Sequence, residues 1–182
     1  MTHAATLRDA TAADAAACAS IYAPYVLDTV ITFELDPPSA VEMGLRIQAA
    51  LTTHAWLVLE DEGRVVGYAY GSPFRARAAY RWACEVSVYL EPGRVRTGGG
   101  RVLYEHLLDR LAERGFRQAV AVMTLPNAPS LALHRAMGFE LTGTLTRIGW
   151  KHGSWHDVSW AQRELGAGGG GPPSQLGPLG PA

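Results

Sequence analysis

The segment from Arg81 to Gly115 limits the fold more than any other part of the chain. It opens with RWACEVSVYL (81–90), a run of strand length rich in β-branched and aromatic residues. Three consecutive glycines, Gly98, Gly99 and Gly100, follow. After them Leu103, Leu107 and Leu111 recur every four residues, and Gly115 supplies a helix stop. A strand, a glycine loop and an amphipathic helix in that order require an architecture that layers helices on a sheet.

The flanking sequence extends this pattern. Thr11 with Asp14, and Ser39 with Glu42, each place a hydroxyl three residues before a carboxylate, the spacing that satisfies free amides at a helix start. AWLVLE and RVVGYAYG are β-rich runs separated by Asp61, Glu62 and Gly63, which reads as a hairpin. Downstream come a short apolar strand at 118–123, a turn at Pro126, a second helix ending near Gly138, and strand-like stretches at 139–148 and 155–163. The expected class is α/β, with a mixed sheet flanked by helices.

At 182 residues, of which 48% are apolar and 18% charged, the chain suits one well-filled domain and excludes wholesale disorder. Sixteen basic against seventeen acidic residues leave a net charge of -1, too little to hold a nucleic acid or an anionic membrane. Cys18 and Cys84 are too few for a disulfide scaffold and lack CxxC spacing. Arg8, Asp9 and Asp14 interrupt the stretch where a secretory signal needs apolar residues, and no later run is long enough to span a bilayer. A soluble, cytoplasmic protein is expected. After Leu165 the sequence GAGGGGPPSQLGPLGPA carries no charge and no aromatic residue. Residues 1–165 therefore read as the domain and 166–182 as an unpacked tail.

Three features carry chemistry. The glycine loop reads either as a flexible turn or as a phosphate cradle, in which first-turn amides and the preceding Arg94 and Arg96 meet phosphate oxygens. It is not a Walker A loop, because no Lys followed by Ser or Thr comes after its glycines, and Leu103 blocks a dinucleotide fingerprint. Glu85 is a lone carboxylate within an apolar strand. It is either outward-facing on an edge or set in a wet cleft, where burial would raise its pKa and suit it to accept a proton. In TLPNAPSLALHRAMGF, Ser130 and His134 fall on one helical face with Asn127 just before the first turn. His152 and His156 are interrupted by Gly153, so no metal site is expected there, and no GxSxG elbow occurs.

RWACEVSVYLEP, RTGGGRVLYEHLL, LPNAPSLALHRAMGF and GWKHGSWHDVSWAQREL, in this order and spacing, resemble the GNAT superfamily of acyl-CoA-dependent N-acetyltransferases. Within it they resemble the phosphinothricin N-acetyltransferase group. The resemblance implies a sheet splayed open between the strand ending at Leu90 and the strand at 118–123, with acetyl-CoA in the gap and no metal. Pantetheine would lie along Val88, Tyr89 and Leu90. The loop Arg96, Thr97, Gly98, Gly99, Gly100 and Arg101 would hold the pyrophosphate, and Asn127 and Ser130 would contact the cofactor near the thioester. It implies Glu85 as general base, with His134 protonating the leaving thiolate or assisting Glu85. The substrate side would include Phe33, Arg75, Arg77, Tyr80 and Tyr104, suited to a small acidic amino acid such as phosphinothricin or methionine sulfoximine or sulfone. Val95 and Gly93 depart from the usual loop, where Gln or Arg and a basic residue are common. A homodimer is also implied. The competing readings are a non-catalytic acyl-CoA-binding regulator and an acetyltransferase acting on protein amino groups.

Overall fold

The structure is a computed structural model describing residues 5–94, 98–166 and 173–177. Strands β1 (Thr6–Asp9), β2 (Trp56–Asp61), β3 (Arg64–Pro73), β4 (Ala83–Leu90), β5 (Gln118–Thr124), β6 (Glu140–Lys151) and β7 (Ser154–Glu164) form one sheet in the order β1-β2-β3-β4-β5-β7-β6. The β4–β5 pair is parallel, and the other neighbouring pairs are antiparallel. Helices α1 (Ala15–Asp28) and α2 (Ala40–Thr53) cover one face; α3 (Gly99–Arg114) and α4 (Ala128–Ala136) cover the other. The mixed α/β class is as expected. Strand β1 went unread in the sequence, because its four residues carry no alternation of their own and become a strand only by pairing with β2.

Both helix-start signals are realised. Glu42 accepts from the Ser39 amide at 2.7 Å while Ser39 Oγ accepts from the Glu42 amide at 3.2 Å. Asp14 accepts from the Thr11 amide at 2.7 Å and is also gripped by both terminal nitrogens of Arg8 at 2.8 Å. This ties β1 to the entry of α1.

The leucine stripe of α3 lies directly on the sheet because β3 carries glycine beneath it. A Cβ on Gly67 would stand 3.2 Å from Leu103 and 2.4 Å from Leu90, and one on Gly71 would stand 3.0 Å from Leu111. Leu103, Leu107 and Leu111 are fully buried as a result, in the core that includes Cys84, Val86, Ala119 and Ala121. This close seating brings the first turn of α3 beside the end of β4, where a Cβ on Gly100 would stand 3.5 Å from Leu90.

The expectation of an unpacked tail does not hold for residues 173–177. Ser174 O accepts from the Trp82 indole at 2.8 Å, Arg114 O accepts from the Gly177 amide at 2.8 Å, and Leu176 packs against the core beside Gly115. One leucine and backbone hydrogen bonds anchor a segment whose composition is otherwise that of a linker. Among the described residues no helix is long and apolar enough to cross a membrane.

Candidate active site

Strands β4 and β5 pair only at Ala83↔Gln118, Cys84↔Ala119 and Glu85↔Val120, and then part, although β4 stays paired to β3 through Leu90. Gly71 donates its N–H to Ala55 O on the β2 side, so its partner Val86 turns its peptide groups away from β3. By the two-residue repeat Val88 and Leu90 do the same. Leu90 O is taken by the Tyr25 hydroxyl at 2.7 Å. Val88 is thus the position where a narrow arm with its own amide groups finds both a donor and an acceptor, as a missing strand would. The gap is a cavity of about 60 Å³ whose walls include Val88, Tyr89, Asn127, Ser130 and His134. The Tyr89 ring packs in an aromatic cluster with Tyr22, Tyr25 and Tyr68.

At the open end of the gap α3 begins. Gly98 takes φ +82, a left-handed conformation suited to glycine, and no acidic side chain occupies the first turn that follows. A helix N-terminus of this length favours an anion. Arg101 lies in that turn, exposed, and donates to Glu105 at 2.8 Å. Arg94, one of the two arginines offered as phosphate contacts, donates to Asp61 at 2.6 Å and Glu91 at 3.2 Å. The acids of the β2–β3 turn and of the residue after β4 claim it, and their distance in sequence concealed this. Arg96 and Thr97 lie outside the described residues.

Asn127 caps α4, its Oδ1 accepting from the Ser130 amide at 3.2 Å, and it lines the cavity. His134 is buried. Its Nδ1 donates to Ser130 O at 2.7 Å, so Nε2 carries the lone pair and accepts from the Tyr104 hydroxyl at 2.9 Å. Burial pushes the His134 pKa down, partly offset by the Ser130 carbonyl, and the ring is neutral at pH 7. Tyr104 therefore departs from its expected place on the substrate side. It is fully buried on α3, directed at His134 and the wall of the gap, because its position continues the inward face of the leucine stripe.

Glu85 is the last residue of β4 paired to β5, at the apex of the fork. Its neighbours Cys84 and Val86 enter the core beneath α3, so strand alternation puts its side chain on the α1–α2 face. It is half-buried and has no hydrogen-bond partner among the described residues. Burial raises its pKa above the usual carboxylate range, with Arg75 pulling the other way. The Arg75 guanidinium lies 4.9 Å over the Phe74 ring and 5.3 Å over that of Trp160. Tyr80 packs edge-on to Phe74 at 5.7 Å, and Arg77 sits exposed at the start of the same turn. Arg75 and Tyr80 are thus brought together near Glu85. Phe33 lies over Gly149 of β6.

Three residues here escaped the sequence reading. Ile31 lines the gap, and Phe74 and Trp160 hold Arg75. Their types read as ordinary core or loop residues, and only the paired cationic neighbour distinguishes the two aromatics. Among the described residues no group of three His, Cys, Asp or Glu is placed to hold a metal ion.

A family model described as an acetyltransferase (GNAT) domain matches residues 7–160. The chain is 42% identical over 159 residues to a phosphinothricin N-acetyltransferase of Streptomyces viridochromogenes, covering 87% of each chain. It is 34% identical over 162 residues to an L-methionine sulfoximine/L-methionine sulfone acetyltransferase of Salmonella typhimurium, covering 88% of this chain and 94% of that one. A crystal structure of a GNAT superfamily phosphinothricin acetyltransferase from Sinorhizobium meliloti in complex with AcCoA superposes with a TM-score of 0.89 at 45% identity, covering 96% of this chain and 94% of the other.

Proposed function

The chain belongs to the GNAT superfamily and is an acetyl-CoA-dependent N-acetyltransferase, and on that premise we propose that it acetylates the primary amine of a small acidic amino acid of the phosphinothricin or methionine sulfoximine and sulfone type. The observation that carries this reading is the parting of β4 from β5 immediately after a half-buried, unpartnered Glu85.

In this reading Val88 bonds the pantetheine amides, while the first turn of α3, with the loop from Arg96 to Arg101, takes the pyrophosphate. Asn127 and Ser130 stand at the thioester end. When bound, acetyl-CoA supplies an activated acetyl group and a thiol leaving group. Glu85 removes a proton from the substrate ammonium, because only the neutral amine has a lone pair for the carbonyl carbon. As the C–N bond forms and the C–S bond breaks, the nitrogen loses its second proton and the sulfur gains one through the hydrogen-bonded Tyr104–His134 pair beside the gap. The pair recovers its proton from the nitrogen or from water. One proton leaves to solvent overall. Arg75, Arg77 and Tyr80 meet the acidic end of the amino acid, where a guanidinium fork matches paired oxygens, and Phe33 bounds the pocket. The reading includes a cytoplasmic homodimer and no metal.

The test is thiol release from acetyl-CoA with phosphinothricin, methionine sulfoximine, methionine sulfone and a peptide, for the wild type and Glu85→Gln. The wild type should turn over the small acidic amines, and Glu85→Gln should lose about 10²-fold or more in kcat with acetyl-CoA affinity unchanged. Acetyl-CoA binding without acetylation of any amine would make the chain a regulator. Turnover of the peptide alone would make it a protein acetyltransferase.

A further inference from the structure

We propose that Lys151 is a positioning residue that latches the α1–α2 connection onto the β6–β7 hairpin and thereby fixes the amine side of the site. This rests on the acetyltransferase reading above. Lys151 ends β6 and is only 3% exposed, an expensive place for an ammonium unless it is held there. Its Nζ donates to Thr32 O at 2.8 Å, its one hydrogen-bond partner among the described residues. Thr32 belongs to the connection between α1 and α2, and its hydroxyl lies 2.6 Å from the Tyr22 hydroxyl. The next acid, Glu34, is fixed by both terminal nitrogens of Arg46, at 2.7 and 2.9 Å, and by Tyr22 at 3.0 Å. Burial pushes the Lys151 pKa down, and the Glu34 charge opposes this.

The residues on either side of Thr32 face the chemistry and the hairpin. Ile31 forms part of the cavity wall with Ser87, Tyr89 and Val122. Phe33 sits over β6 at Gly149, where a Cβ would stand 2.1 Å from its Cε2. Only glycine leaves room for the ring. Gly149 pairs with His156, whose ring lies 6.3 Å from that of Phe33. A carbonyl pinned at Thr32 therefore sets Ile31 into the gap and Phe33 into its notch together. Lys151 touches neither the gap nor Glu85 and acts through Thr32.

The experiment measures steady-state kinetics and amide hydrogen exchange for Lys151→Met, which keeps the stem and removes the ammonium. The KM for the acetylated amine should rise about tenfold, and by more than that for acetyl-CoA, since Ile31 lines the gap but the Val88 backbone and the first turn of α3 are untouched. Exchange at residues 30–34 should quicken in the absence of any substrate. A folded Lys151→Met with an unchanged amine KM, a fall in kcat alone, or unchanged exchange at 30–34 overturns the latch. Gly149→Ala, which attacks the same latch from the Phe33 side, decides by the same criteria if Lys151→Met does not fold. If the wild type acetylates none of the amines, the functional reading fails separately, and the exchange measurement alone judges the latch.

Discussion

His54 follows the C-terminus of α2 with its ring stacked 4.7 Å from that of Phe116 and its carbonyl accepting from Arg114 at 2.6 Å. Burial and the nearby guanidinium push its pKa down to about 4. The unfolded chain binds this proton near the ordinary histidine value of about 6.5. The stability it contributes is therefore complete above pH 6.5 and is lost as pH falls toward 4, to a total of about 3 kcal/mol. His134, also held neutral by burial, adds in the same direction. Urea unfolding of His54→Phe, which keeps the ring stack, should show a shallower loss between pH 6.5 and 4.5 than the wild type. At this scale Glu85 was legible as a charge out of place in an apolar strand, and His134 as a polar group on the face of Ser130. The destination of Tyr104 was not, because a tyrosine on a helix reads the same whether it meets a substrate or a buried imidazole.

The element that positions the cofactor end of the site is α3, and its placement depends on what β3 lacks. A side chain at Gly67 would meet Leu90, the Tyr89 carbonyl and Leu103 within 3.2 Å, so Gly67→Val forces α3 and the end of β4 apart. Overpacking of this kind costs about 1–3 kcal/mol. Because the first turn of α3 is seated against Leu90, calorimetry should also find weaker acetyl-CoA binding, whereas a substitution acting on stability alone would leave it unchanged. The leucine stripe announced the helix, and the glycine loop announced its start. That the helix packs across β3 and β4 could not be read from a stripe, since every amphipathic helix presents one.

For the whole molecule, β6 is an edge strand exposed on both faces, with Leu141, Leu145, Ile148 and Trp150 toward solvent and Trp155 beside them on β7. An edge of this length and apolarity invites a partner, which accords with the proposed homodimer. Sedimentation of Leu145→Lys should show dissociation relative to the wild type. Truncation after Gly166 removes the contacts of Ser174, Leu176 and Gly177 and should cost about 1–2 kcal/mol by denaturant unfolding. The emission of Trp82 should shift to the red as its indole loses its acceptor. Local pattern by itself determined the strands from β2 onward, both helix starts at Thr11 and Ser39, the glycine-led helix and the identity of the lone acid in β4, because each is written in spacing and residue type within a few turns of chain. The tertiary structure alone decided where β4 leaves β5, that Arg94 serves Asp61 and Glu91, that Phe74 and Trp160 hold Arg75, and that Lys151 reaches Thr32. Those contacts join residues far apart in the chain, and packing selects among pairings that local sequence leaves equally open.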